Sequence, residues 1–128
     1  MKRILLLTMV FFSIFSHAQF PEGFEGATFP PAGWVVEDNG IGTAQSWGIT
    51  TATGFGWVYQ GARSAMVNRD NGTTSTGLAQ DWLITPQVTV PANGQIRFYA
   101  RSGSNGEQGS VYKVLMSTTT QNRAAFTT

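Results

Sequence analysis

Carboxylates and aromatic rings are the side chains with which this 128-residue sequence could do chemistry. Its one histidine, His17, lies within residues 1–18, and it contains no cysteine. From residue 19 onward the chain therefore has neither imidazole nor thiol. Ser-His-Asp and Cys-His nucleophiles, His or Cys metal centres, thiol redox motifs, iron–sulfur clusters and covalent haem attachment all need one or the other. Paired carboxylates can hydrolyse glycosides without histidine. Here Glu22 and Glu25 sit in an N-terminal segment, and adjacent Glu37 and Asp38 point to opposite faces of a strand, so they cannot share one substrate bond. Lys113 lies in an amphipathic stretch where the sequence shows nothing that would activate it as a base or nucleophile.

Calcium is the other use of a carboxylate. It takes about six to eight oxygens, usually from carboxylates and backbone carbonyls. Glu25 and Asp38 are the candidate ligands, on two loops that could meet at one end of a sandwich. The alternative is a solvated Glu25 and an Asx turn at Asp38-Asn39-Gly40. No D-x-D-x-D-G loop is present. Asp70-Asn71-Gly72 reads as a tight turn, and Asp81 as a residue orienting the strand that begins with Trp82. For recognition, Phe55, Trp57 and Tyr59 alternate in a glycine-rich stretch, with Arg63 close by. Such rings stack on sugars and anchor protein interfaces, and an arginine adds a fork for carboxylates or a cation–π contact. The same three rings would equally serve as one buried face of a strand.

The elements that position these residues follow from punctuation and period. All 15 glycines and all 5 prolines lie beyond residue 18, and no stretch repeats apolar residues at helical spacing. Between the breaks the pattern has period two. Ile96, Phe98 and Ala100 share one side of residues 95–101, opposite Gln95, Arg97, Tyr99 and Arg101. Tyr112, Val114 and Met116 share a side in residues 110–117, as do Val88 and Val90 between Pro86 and Pro91. Residues 34–37, 65–67 and 81–85 are shorter β-rich runs. Short strands between Gly, Pro and Asn turns predict an all-β antiparallel sandwich or barrel. Residues 19–128 suffice for one domain with a modest core.

Lys2 and Arg3, the apolar run at residues 4–15 and the small-residue site Ser16-His17-Ala18 have the layout of a secretory signal peptide, too short to span a bilayer comfortably. Its removal takes two of the eight basic residues, leaving six against seven acidic ones and changing the formal charge from +1 to −1. Scattered cations at that balance argue against a nucleic-acid partner. The expected product is exported, with no membrane insertion after signal cleavage and no disulfide support. Residues 118–128 read as a loop that has not reached its next element, so the sandwich is expected to be truncated at its C-terminal end, its closing strands missing.

Four blocks then carry a family likeness: Phe24-Glu25-Gly26 with Phe29-Pro30-Pro31-Ala32-Gly33-Trp34; Asp81-Trp82-Leu83-Ile84-Thr85-Pro86; residues 96–101; and residues 112–119. In this order they resemble the cleaved-adhesin or choice-of-anchor J domains of Bacteroidetes, found as haemagglutinin/adhesin modules of gingipains. The resemblance implies a jelly-roll β-sandwich of the MAM-like, galactose-binding-like type, often with structural calcium, and carries the cation role to Glu25 and Asp38. It implies a non-catalytic cell-adhesion module for host or matrix proteins or glycans, exported by type IX secretion as the N-terminal part of a larger surface protein. The competing expectation is an accessory carbohydrate-binding or catalytic sandwich domain of a secreted hydrolase.

Overall fold

The computed structural model describes residues 21–41, 46–53, 57–69, 77–103 and 109–127. The expected signal peptide lies outside them. The described elements are four strands, β1 (Val35–Asp38), β2 (Gly48–Thr51), β3 (Arg63–Met66) and β4 (Asp81–Ile84), and a 3₁₀ turn at Arg123–Ala125. There is no α-helix among the described residues, in keeping with an all-β class.

Pairing is nested. β2 and β3 form one antiparallel ribbon, while β1 pairs across that whole excursion with β4. In the outer ribbon Val35 faces Ile84 and Asp38 faces Asp81; in the inner one Gly48 faces Met66 and Thr51 faces Arg63. Directly opposed residues lie on the same face of a sheet. Val35, Glu37, Trp82 and Ile84 therefore share one side of the outer ribbon. Ile84, 4% exposed, is its most deeply buried apolar residue. The C-terminal stretch covers part of this ribbon. Phe126 packs its ring 5.8 Å from that of Trp82, and Gln121 Nε2 donates to the carbonyls of Gly33 and Thr85 at 2.8 and 2.9 Å. Asn122 Oδ1 accepts from the Ala124 amide and so starts the 3₁₀ turn.

Before β1, Phe24 meets Trp34 edge-on at 5.3 Å and Phe29 at 6.1 Å. The Trp34 amide donates to Pro31, closing the turn that leads into the strand. At the other end of β1, Asn39 links the outer strands. Its Nδ2 donates to the Leu78 carbonyl, its Oδ1 accepts from the Gln80 and Ile41 amides, and its own amide donates to Gln80. Trp47 Nε1 donates to the Asp81 carbonyl, fastening the approach to β2 onto the start of β4.

The short β-rich runs at residues 34–37, 65–67 and 81–85 are strands to within a residue or two. The long alternating runs are not. Residues 86–91, 95–101 and 110–117 form no strand, and their side chains are mostly exposed, Phe98 by 55%. Alternation says which side a strand would bury, but a strand also needs a backbone partner. Among the described residues these runs find only an isolated bridge between Met116 and Thr127. β2 was absent from the expectation, because its Gly-Ile-Thr-Thr sequence carries a single large apolar residue.

Candidate functional site

Glu25 reaches the inner ribbon. Its Oε1 accepts from the amides of Ala62 and Arg63 at 3.0 and 3.1 Å, while Arg63 Nη1 donates back to the Gly26 carbonyl. Gly61 makes the approach possible. Its φ is +83°, and a Cβ there would sit 2.1 Å from Glu25 Oε1. The Phe24-Glu25-Gly26 block is thereby bracketed onto the start of β3. Arg63, expected to face a ligand, is half-buried and directs Nη1 into this bracket.

Asp38 has other partners. Its Oδ1 accepts from the Gly40 amide, and Gly40 has φ +71°. That is the Asx turn weighed as the alternative to a calcium ligand. Asp38 also lies directly opposite Asp81, a like-charge pairing that disfavours the ladder end. Glu25 and Asp38 share no hydrogen-bond partner. No group of three or more His, Asp or Glu side chains converges among the described residues. Glu25 and Asp38 are thus each engaged by backbone amides, at separate places among the described residues.

The aromatic stretch is divided. Phe55 lies outside the described residues. Trp57 is half-buried, with Gly103 so close that a Cβ there would lie 3.0 Å from the indole ring. The Trp57 carbonyl accepts from Ser64 Oγ at 3.0 Å. Tyr59 is 67% exposed and stacks on Tyr99, itself 71% exposed, with centroids 3.6 Å apart and planes 13° from parallel. The Tyr59 hydroxyl is raised above the ordinary tyrosine value of 10.0. Its hydrogen bond with Tyr99 contributes most, then the charge on Tyr99, then slight desolvation. Trp57 and Tyr59 are thus placed side by side, one inward and one on the surface. Arg63 and the two proposed calcium ligands belong to other local structures.

Tyr99 is the residue that sequence reasoning missed. Its signal was present in the alternation of residues 95–101, which put it on the polar side with Arg97 and Arg101. What was not legible was that this side would meet residues 57–59.

No helix among the described residues is long and apolar enough to cross a membrane. No curated protein and no solved structure matches the chain. A family model, the Cleaved Adhesin Domain, matches residues 18–128. It starts at the end of the expected leader and takes in both ribbons, the Glu25 bracket and the Tyr59–Tyr99 stack. The chain belongs to the cleaved adhesin domain family.

Proposed function

We propose that this chain is a secreted, non-catalytic adhesion module that holds a host or matrix protein or glycan by equilibrium binding. The observation that carries the reading is the Tyr59–Tyr99 stack, two large rings left mostly in water where a partner can cover them. Tyrosines in such positions contribute disproportionately to binding energy. Membership of an adhesion-domain family supports the same conclusion. So does the residue inventory: from residue 19 onward no imidazole or thiol exists, and the Glu25 and Asp38 carboxylates are engaged by backbone amides.

The nested pairing of β1 with β4 around β2 and β3 supports reading the two ribbons as parts of a rolled-up, jelly-roll sandwich. Residues 1–18 are the proposed export signal, read from Lys2 and Arg3, the apolar run at residues 4–15 and the Ser16-His17-Ala18 site. The test is binding of the full chain to panels of matrix proteins and glycans, beside Tyr59→Ala. Saturable binding that falls on the order of tenfold in the variant, with unchanged folding, is expected. Turnover of a panel compound by the purified chain would overturn the non-catalytic reading.

A further inference from the structure

We infer that Tyr99, with Arg97 and Arg101 on either side, is a subsite for an anionic saccharide, one bearing sulfate or carboxylate groups. This deepens the adhesion reading and rests on it. Two contacts fix the segment: Tyr99 stacks on Tyr59, and Gly103 lies against the Trp57 ring. Residue 57 meets 103 and residue 59 meets 99, so the segments run in opposite directions. Tyr99 and Gly103, four positions apart, both facing residues 57–59 is what the two-residue period of an extended chain produces. Positions 97 and 101 fall on that side too, about 13 Å apart in an extended chain.

The chemistry of this side is specific. Arg97 and Arg101 are the only charged residues from Trp82 to Gly103, and both are exposed. Arg97 donates through Nε and Nη2 to Gln95 Oε1 at 3.2 and 2.9 Å, a neutral acceptor that orients the guanidinium without cancelling its charge. Arg101 Nε donates to the Ser102 carbonyl at 3.3 Å. Neither arginine is paired with a carboxylate among the described residues. Each guanidinium retains N–H groups in the planar fork that suits sulfate and carboxylate oxygens.

Between them, Tyr99 gives one ring face to Tyr59 and is otherwise largely open, a flat apolar surface for the C–H face of a sugar. An acidic peptide would more naturally use a strand edge or apolar pockets beside the charges. Here Ile96 and Phe98 belong to the opposite side by the same alternation. Rings and cations without aliphatic anchors favour the saccharide.

The experiment measures binding of the full chain to a heparin hexasaccharide, to a neutral dextran oligosaccharide and to poly-glutamate, at low and moderate salt. Variants are Arg97→Gln, Arg101→Gln, Tyr99→Ser and, as a charge control, Lys113→Gln. The expected result is salt-sensitive heparin binding that weakens about tenfold in each of the first three variants and little in the control, at unchanged melting temperature. Dextran should not bind measurably, and poly-glutamate should bind at least about tenfold more weakly. Equal binding of poly-glutamate, equal loss in Lys113→Gln, or no effect of Tyr99→Ser would overturn the subsite. Adhesion to the matrix and glycan panel that persists without heparin binding would sink the saccharide class alone. Loss of both would sink the adhesion reading with it.

Discussion

Glu25 and Gly61 form a tight residue-level dependence among the described residues. One carboxylate oxygen satisfies two consecutive amides and can do so only because residue 61 has no side chain. Gly61→Ala adds a left-handed backbone penalty to a clash, so a loss of about 1–3 kcal/mol in denaturant-measured stability is expected. Combined with Glu25→Ala, the same change should cost less, since the clash has gone. Simple additivity of the two losses would contradict the bracket. Because Glu25 is held by amides, millimolar chelator should leave the melting temperature unchanged; a clear fall that calcium reverses would show a bound ion. Tyr59 supplies a spectroscopic test. Its raised pKa means that protonated Tyr59 contributes a slight, solvent-screened stability below pH of about 10, lost as pH climbs through the higher folded-state value. In Tyr99→Phe the partner hydroxyl is gone, so ultraviolet titration should show Tyr59 ionising at lower pH than in the parent. An unmoved titration would contradict the stacked, hydrogen-bonded pair.

The strands divide according to whether their backbone is partnered. Ile84 pairs opposite Val35 and is buried, so Ile84→Ala should cost about 2–4 kcal/mol. Phe98 is a larger residue in a more strongly alternating run, yet it is mostly exposed, and Phe98→Ala should cost less than about 0.5 kcal/mol. Equal losses in thermal or urea unfolding would mean that Phe98 is covered in solution. This contrast also marks what the sequence made legible. Asp81-Trp82-Leu83-Ile84 was readable as a strand because both of its faces carry large side chains. Residues 95–101 gave an even clearer alternation, but alternation contains no information about a partner many residues away. β2 was illegible for the opposite reason: it gains its place from pairing with Arg63–Met66, with little apolar pattern of its own. At the candidate site, Tyr59 was visible as an exposed-ring candidate. Its stack with Tyr99 was not, since 40 positions separate the two and no local rule connects them. The bond of Arg63 to Gly26 was illegible for the same reason, since it likewise depends on distant segments meeting.

At the scale of the whole molecule, two nested ribbons hold an aromatic surface in place without disulfides. The outer ribbon is tied at both ends, by Gln121 at Gly33 and Thr85 and by Asn39 at Leu78 and Gln80. The inner ribbon is tied to the N-terminal block through Glu25 and to β4 through Trp47. Tyr59 and Tyr99 lie outside these ties, so changing either ring should leave the framework intact. The central claim, adhesion through that surface, is tested most directly by a binding isotherm of the full chain on immobilised extracellular matrix, run beside Tyr59→Ala at matched melting temperature. The expected result is saturable binding weakened about tenfold by the substitution. Binding of the variant as tight as that of the parent, or no binding by the parent, would contradict it.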